Sequence, residues 1–430
     1  MTVFHRLNIL ASFVALVFLI VPHVARPQND RRCAWPIEAS PEGAGNILGP
    51  EYLARYWIMP YDAQDGTMTI KGTYPNARFF SFVAYNTNSG RNTTEAAGHV
   101  YDAVIAPDPG TINPFVKPGG SNGTYTVAVS RTGQNSGNNI RVDTDFAWVV
   151  LRLYVPTRDP SLLGQALAGS VPLPTILLTK NGATQELKPC SPVNKLADTV
   201  AFLQTVFPPG FDLIGDEGTP SSDRLWFAAP TVPPPPLMPN PDNKYIVMLP
   251  GNEYQPGRII VIHGKAPGTP DTYDGAPIWE PARGSRTVDM RFWSVCHNNF
   301  AIPIPVVACT SDMTTELEGG YYTIVISNDL LRPDWLRPNI TWLPWGDERY
   351  FKLLFFRNLL PDPNFQFAIQ RVVEAKCTFE FNLPIIPPRK DVDAAGSCTQ
   401  QIMGDYYPVA VWCDKSTFVA GGWRACINRH

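Results

Sequence analysis

Few side chains in this chain are of the types that carry out acid–base or metal chemistry, and they are widely spaced. Beyond the predicted signal peptide, residues 1–25, the histidines are His99, His263, His297 and His430. His263 and His297 fall on segments that we expect to be adjacent strands, where two imidazoles near an acid would suit metal binding or proton transfer. Lone histidines near strand ends are more often hydrogen-bonded residues without chemistry, and we favour that interpretation.

A second candidate is the loop that begins at Asp102 and runs through Asp108 to Asn113. Two carboxylates can act as a catalytic pair, and a carboxylate with an amide offers oxygen ligands for calcium. Asp-Pro-Gly and Asn-Pro are also turn formers, which favours a structural role. The weak candidate catalytic residues are therefore Asp102, Asp108, His263 and His297. We predict no cofactor and no metal.

The third candidate is a group of three tryptophans, Trp335, Trp342 and Trp345, separated by prolines. On an exposed, stiff loop they would form flat surfaces that stack on sugar rings or on a protein partner. Folded inward they would plug the edge of a β-sandwich, and tryptophan is mostly buried on average, which favours the plug. They are nevertheless the predicted ligand-binding residues, because no other segment is a better candidate for binding.

The sequence lacks the common catalytic motifs. It contains no Gly-x-Ser-x-Gly elbow, no His-Glu-x-x-His, no phosphate-binding glycine loop and no dinucleotide fingerprint. The formal charge is −3 without a basic cluster, which argues against a nucleic-acid partner.

Four phrases recur in the same order about 200 residues apart, and this repetition predicts the architecture. The pairs are Lys71–Pro75 with His263–Pro267, Arg78–Phe82 with Arg291–Val295, Gly123–Val127 with Gly320–Ile324, and Arg152–Pro156 with Arg357–Pro361. The spacing is too long for a solenoid. We predict two copies of one domain.

The sequence of each copy predicts a β-sandwich. The segments 67–71 and 124–130 alternate apolar and polar residues, as in a sheet with one wet face. The segments 78–85 and 146–155 are apolar at both parities and should be central strands. With 44 prolines in 430 residues, long helices are disfavoured. The predicted class is all-β with a few short helices: two tandem antiparallel β-sandwiches related by internal duplication, with a Cys-rich C-terminal tail.

Arginines interrupt the apolar strands in both copies, at Arg78, Arg152, Arg291 and Arg357. A buried guanidinium requires carboxylate or carbonyl partners. We expect Asp102, Asp143 and Asp145 to supply the acids in copy one. Since both copies keep these arginines, maintenance of the fold is the favoured role and binding of an anionic ligand the alternative.

The predicted boundaries follow these patterns. They are 1–25 signal peptide, 26–51 lead-in, 52–190 copy one, 191–243 helix and Pro-rich linker, 244–388 copy two, and 389–430 a disulfide-stapled tail of little regular structure. In the linker, Ser191 and Pro192 are suited to begin a helix. A second helix is expected after Asp362-Pro363.

The amino terminus predicts export. His5 and Arg6 precede an apolar run from Ile9 to Val21, and a cut near Ala25 completes the layout of a secretory signal. An uncleaved anchor is the alternative, although the run is short for a full span.

The cysteine count agrees with export. The eight cysteines are Cys33, Cys190, Cys296, Cys309, Cys377, Cys398, Cys413 and Cys426, with no Cys-x-x-Cys pair, so disulfides are favoured over zinc. Proximity suggests Cys296 with Cys309 and Cys413 with Cys426. The sequons at Asn92, Asn122 and Asn339 would be glycosylated in a eukaryotic secretory pathway.

Four motifs carry a resemblance to a known group: Pro107–Gly110, Arg291–Ser294, Tyr321–Val325 and Trp342–Gly346. Through them the chain resembles a family of exported hypothetical proteins with two related β-sandwich domains. The resemblance covers about Tyr52 to Cys426. It implies the paired-sandwich fold and brings no activity.

The sequence thus favours a secreted or cell-surface protein with a binding or structural role and a glycan or an extracellular protein as partner. The alternative is a secreted hydrolase with its site in the cleft between the two copies. We expect no nucleic-acid partner and no stable membrane span once the signal is removed.

Overall fold

A computed structural model of the chain describes residues 33–39, 51–86, 96–119, 123–158, 168–190, 194–195, 223–231, 238–251, 254, 256–299, 305–381 and 387–427. The predicted signal peptide, two of the three sequons and most of the predicted linker lie outside these residues. The described residues divide into two compact units. Unit 1 holds those of 33–39, 55–195 and 238–239, and unit 2 holds those of 51–54, 223–231 and 240–427.

Unit 1 consists almost entirely of strands. In chain order they are β1 (Ile37–Ala39), β2 (Ala54–Asp62), β3 (Thr67–Thr73), β4 (Phe79–Asn86), β5 (Ala96–Tyr101), β6 (Thr124–Ser130), β7 (Asn139–Arg141), β8 (Phe146–Tyr154), β9 (Thr175–Lys180), β10 (Ala183–Leu187) and β11 (Asn194–Lys195).

These strands form two sheets. One sheet has the order β11-β1-β2-β8-β4-β5 and the other has the order β10-β9-β3-β6-β7. The rings of Phe80 and Phe82 on β4 lie 5.6 and 5.8 Å from the ring of Tyr125 on β6, so the two sheets share one aromatic core. This arrangement confirms the predicted sandwich.

Strand burial follows the sequence pattern. β3 and β6 alternate buried and part-exposed residues, whereas β4 and β8 are buried along nearly their whole length. β4 and β8 are neighbours in the middle of their sheet. The prediction that these two segments are central strands covered on both faces is therefore confirmed.

Unit 2 adds helices to strands. Its elements are β12 (Arg224–Leu225), β13 (Ala229–Pro230), β14 (Asn243–Met248), β15 (Arg258–Lys265), β16 (Met290–Asn299), β17 (Val306–Ser311), β18 (Leu317–Glu318), β19 (Tyr321–Ser327), β20 (Thr341–Pro344), β21 (Lys352–Pro361), α1 (Ile369–Glu374), β22 (Thr378–Phe379), α2 (Arg389–Met403), β23 (Val409–Asp414) and α3 (Lys415–Ile427), the last kinked at Gly422.

Two of its sheets face each other across a core. One runs β14-β21-β16-β17; the other runs β12-β23-β15-β19-β18, with β20 paired to β19. The ring of Trp293 on β16 lies 5.4 Å from that of Tyr322 on β19, which joins the sheets. Outside this core, α2 packs on Phe355 through Val392, and α3 packs on Val261 through Phe418. β13 and β22 form a separate two-stranded sheet.

All four pairs of recurring phrases contain residues at matching register positions. Gly72 lies opposite Tyr125 between β3 and β6, and Gly264 lies opposite Tyr322 between β15 and β19. In the other sheet of each unit, Ser81 lies opposite Arg152, and Ser294 lies opposite Arg357. These positions describe a likeness between the units; that the likeness arose by duplication stays a prediction.

The C-terminal segment differs from expectation. A tail of little regular structure was predicted after residue 388, but this segment forms α2, β23 and α3, and β23 pairs with β15 over Arg258 to His263. The error arose because Val409–Asp414 is too short to stand out in a region dominated by cysteine spacing.

The predicted helices also differ. After Asp362 the chain turns, with the Asn364 amide donating to the Asp362 carboxylate at 2.8 Å, and α1 begins only at Ile369. In the linker, Asn194 and Lys195 are in strand β11, and the rest of that predicted helix lies outside the described residues. None of the helices in the described part of the chain is long and apolar enough to cross a bilayer.

All eight cysteines form disulfides. The pairs are Cys33–Cys190, Cys296–Cys309, Cys377–Cys398 and Cys413–Cys426. The two short-range pairings expected from proximity are confirmed. Cys296 and Cys309 face each other directly across β16 and β17.

Two of the three expected acid partners of the buried arginines, Asp143 and Asp145, pair with other arginines. Asp143 lies 3.2 Å from Arg141, and Asp145 forms an ion pair with Arg131. All four of these charges are exposed, so they contribute little to stability. Arg152 instead contacts tyrosines and a backbone carbonyl.

The opposition of Gly72 and Tyr125 yields a prediction. A Cβ on residue 72 would lie 2.4 Å from the Tyr125 hydroxyl oxygen and 2.6 Å from its ring carbon. Tyr125 is buried and cannot move aside. We expect Gly72→Ala to lower the free energy of unfolding by about 1–3 kcal/mol in urea titrations. Gly133→Ala is the control, since its Cβ would meet only the mobile Ser130 hydroxyl; equal effects of the two variants would contradict the prediction.

Candidate functional site

The most exposed apolar residues of the described chain lie on the loop between β19 and β20. Leu330 is 96% exposed and Leu331 is 80% exposed. We call residues 328–334 the leucine loop. Two adjacent leucines that remain almost fully in water at the end of a strand are unusual enough to indicate a contact surface.

Polar contacts hold the leucine loop in place. The Ser327 hydroxyl donates to the Asp329 carboxylate at 2.8 Å, and Lys415 approaches the same carboxylate at 3.9 Å. Arg332 donates to the carbonyls of Ile340 and Arg337 at 2.7 and 2.6 Å. The loop is therefore fixed at both ends, and the leucines are presented by a defined backbone.

The three tryptophans follow the leucine loop in the chain. The Trp342 indole donates to the Ser327 hydroxyl at 2.9 Å. Trp335 packs edge-on against Phe418, with the Lys415 ammonium 4.6 Å from its ring. Trp345 is 1% exposed and belongs to the core, with its ring 5.5 Å from that of Trp412.

This burial favours the plug over the open platform. Trp345 cannot stack on an external ligand without unfolding the loop. Trp335 and Trp342 keep partial exposure, and their role as ligand-binding residues stays a prediction. The leucines were missed in the sequence because exposure depends on tertiary structure. The available signal was an apolar pair between the turn formers Asn328-Asp329 and Pro333.

His297 lies in a buried polar cluster at one end of the unit 2 core. Its Nδ1 is 3.1 Å from the Pro344 carbonyl oxygen, and its ring meets Trp345 edge-on at 5.6 Å. Lys352, which the sequence reasoning missed, is fully buried nearby and donates to Asn299 Oδ1 and to the Asp347 carbonyl, both at 2.5 Å.

The electrostatics of this cluster disfavour charge. Burial, with the Lys352 charge second, lowers the pKa of His297 to about 3. Burial also lowers the pKa of Lys352 to about 8, against the opposing attraction of Asp347 and Glu348. His297 is thus neutral at physiological pH, whereas Lys352, with a pKa of about 8, remains mostly charged.

His263 lies in a different environment. On β15 its ring stacks on Trp423 at 3.6 Å and lies nearly parallel to Tyr321 at 5.6 Å, and Nδ1 is 3.1 Å from the Thr323 hydroxyl. Burial lowers its pKa to about 4. His263 is on the outer side of its sheet, because its neighbour Ile262 is in the core cluster.

The predicted acids have structural contacts. The Asp102 carboxylate accepts from the amides of Ala103 and Phe80, at 2.6 and 3.3 Å. The Asp108 amide and carbonyl form the turns of the loop. Asn113 donates to the Asp102 and Ile105 carbonyls at 2.6 and 2.9 Å, so its amide is used within the loop.

The two candidate histidines have different surroundings. Asp102 and Asp108 belong to unit 1, where both lie near Tyr74, and the two histidines belong to unit 2. Within unit 2, His263 contacts Thr323 and Trp423, whereas His297 contacts Pro344 and Trp345. The catalytic roles of all four residues stay predictions.

Glu51 is the most strongly perturbed acid. It is 1% exposed and accepts from the Leu53 amide at 2.7 Å. Burial raises the pKa of Glu51 to about 7 against the attraction of Arg357. Its carboxylate and the sulfurs of Cys296 and Cys309 lie within 4.8 Å of one another. Because both sulfurs are in a disulfide, they are not thiolate ligands, and this group does not make a metal site.

Comparison with known proteins gives no family. No family model matches the chain, and no curated protein matches it. Among solved structures, an uncharacterised protein from Burkholderia cenocepacia is 14% identical, with 83% of this chain and 87% of that chain covered and a TM-score of 0.47. The VPA0106 protein from Vibrio parahaemolyticus is 12% identical, with 74% and 87% covered and a TM-score of 0.40. These similarities are too low to support an inference.

The two buried histidines yield a pH prediction. In the unfolded chain a histidine has a pKa near 6.5. Below that pH the unfolded state therefore binds protons that the folded state does not bind. Stability is therefore retained above pH 6.5 and lost as the pH falls toward 4. We expect His297→Gln to reduce this slope in urea unfolding, by as much as about 1.4 kcal/mol per pH unit. His99→Gln, at an exposed position, is the control; a slope unchanged in His297→Gln would refute the prediction.

Glu51 predicts the opposite dependence of stability on pH. Its unfolded carboxyl titrates near 4.5 and its folded carboxyl near 7, so between these values the folded state binds the extra proton. Stability falls as the pH rises through that window. We expect Glu51→Gln to remove this loss. The free energy of unfolding of the variant should therefore increase relative to that of the wild type between pH 4.5 and pH 7. Parallel pH profiles for the two proteins would show that Glu51 titrates normally.

Proposed function

We propose that the protein acts outside the cytosol as a binding protein, and that the leucine loop makes the main contact with a partner protein. The observation that carries the proposal is the exposure of Leu330 and Leu331 on a loop whose backbone is fixed. Binding sites are commonly placed on loops held by a rigid β scaffold.

The energetics favour burial of the leucine pair. Removing one leucine side chain from water contributes about 1.5–3 kcal/mol. Because Arg332 and Asp329 already fix the loop, little conformational entropy is lost when a partner covers it. The pair would then form the apolar centre of an interface with a polar rim.

Charge supports a protein as the partner. The residues around the pair alternate in sign, with Asp329 and Asp334 against Arg332 and Arg337. Loops that bind anionic membranes are typically rich in lysine and arginine, whereas the leucine loop contains one arginine and two aspartates. Sugar rings stack on aromatic faces, and the exposed residues here are aliphatic. A protein rim of mixed charge is the better complement.

The compartment follows from the cysteines. Four disulfides persist in oxidising surroundings and are rare in the cytosol. They support a secreted or cell-surface location. They also stabilise a β-rich protein in a setting where it cannot be refolded by cytosolic chaperones.

We further infer that the two units arose from one ancestral sandwich. Support comes from the paired register positions, with Gly72 and Gly264 each opposite a tyrosine, and Ser81 and Ser294 each opposite an arginine. For the hydrolase alternative, the two candidate histidines of unit 2 have different contacts, and we prefer the binding role.

The proposal predicts the behaviour of a leucine variant. Labelled protein should be retained by intact cells of the producing organism, and Leu330→Ser combined with Leu331→Ser should reduce that retention at least about tenfold. Trp279→Ser is the matched control, because it removes an exposed apolar residue elsewhere in unit 2.

The outcomes separate the partners. Loss of retention after protease treatment of the cells supports a protein partner. Loss after glycosidase treatment, with the leucine variant bound normally, would favour the glycan. Equal binding of the wild type to phosphatidylcholine vesicles would favour a lipid surface and contradict the proposal.

A further inference from the structure

Unit 1 contains a buried arginine that forms no ion pair with a carboxylate of the described residues. Arg152 on β8 is 1% exposed, and Ser81, directly opposite on β4, is fully buried. Arg152 Nη2 donates to the Tyr85 hydroxyl at 2.8 Å and to the Met238 carbonyl at 2.6 Å. The guanidinium carbon lies 5.1 Å from the centre of the Tyr56 ring. The charge therefore has two acceptors and an aromatic face.

Three polar atoms at this position have no hydrogen-bond partner among the described residues. Arg152 Nε, Arg152 Nη1 and Ser81 Oγ are buried and form no hydrogen bond with any residue that the structure describes. Nor does any described carboxylate form an ion pair with Arg152. A buried guanidinium without a counter-charge costs several kcal/mol, and buried donors are rarely left unpaired.

The matched position in unit 2 is different. Arg357 lies opposite Ser294 in the same register, and the Glu51 carboxyl is close enough that Arg357 attracts its charge. The two units thus place an arginine and a serine in the same relation, but among the described residues an acid near the arginine is found only in unit 2. The difference points to an anion beside Arg152 that no described residue supplies.

We propose that Arg152 and Ser81 bind a small inorganic anion of halide size. The unpaired groups are two N–H donors and a hydroxyl, all suited to a negative acceptor. The nearby hydroxyls of Tyr56 and Tyr154, 3.2 Å apart, form a polar wall beside it. Every one of these residues is 2% exposed or less, so a ligand held here would be enclosed and would have to be small.

The anion would stabilise the folded protein by mass action. A ligand that binds only the folded state raises the melting temperature as its concentration passes the dissociation constant. Replacing gluconate with chloride at constant ionic strength should raise the melting temperature of the full-length protein by about 4–8 °C. This shift is expected once the chloride concentration is about a hundredfold above the dissociation constant.

Two serine variants isolate the site from general salt effects. Ser81→Ala removes one donor next to Arg152, and Ser294→Ala removes the matched hydroxyl next to Arg357. Both keep the arginine and should fold. We expect the chloride response to be weakened in Ser81→Ala and to equal that of the wild type in Ser294→Ala.

A crystal grown in bromide gives an independent readout, with an anomalous peak expected beside Arg152 Nε and Nη1. Equal chloride responses in the two variants, or a crystal without that peak, would overturn the proposal. An equal effect of acetate would overturn the assignment to an ion of halide size.

Discussion

A sheet that is buried on both faces offers no solvent side for a charge, and this constraint governs the centre of each unit. β4, β8, β16 and β21 are buried along almost their whole length. Yet β8 and β21 each contain an arginine. Every charge in these strands must be met by groups on a neighbouring strand or on another segment, such as the Tyr85 hydroxyl, the Met238 carbonyl or the Glu51 carboxyl.

The same constraint explains the protonation states. His297 and Lys352 lie at the end of a buried strand pair, and burial lowers the pKa of both. Glu51 shows the reverse for an acid. These shifts arise from burial first and from neighbouring charges second. They therefore describe a fold that tolerates few charges in its interior, and they are not by themselves signs of catalysis.

Much of the fold could be predicted where periodicity carries the signal. Alternation of apolar and polar residues identified β3 and β6, and apolar runs at both parities identified β4 and β8. Burial on one face or on both faces of a strand directly determines which positions are apolar. The short disulfides could be proposed from spacing. The strand β23 could not, because six residues between cysteines and turns leave too short a pattern.

The site could be predicted only in part. The segment around Trp335–Trp345 was singled out, but whether each ring faces inward or outward is decided by packing, for example by the contact of Trp345 with Trp412. Similarly, tyrosines in place of acids around Arg152 could not be foreseen, since long-range partners depend on which strands become neighbours.

The position of β23 has a consequence for biogenesis. β15, near the middle of the chain, has β19 on one side and β23 on the other, and β23 is made some 150 residues later. During synthesis or export from the amino-terminal end, one side of β15 waits with its amides and carbonyls unpaired. An open strand side of this kind is a template for pairing with other chains. Unit 2 therefore has to be kept from pairing with other chains until β23 has been made. Truncation shortly before β23 would leave this side of β15 permanently unpaired.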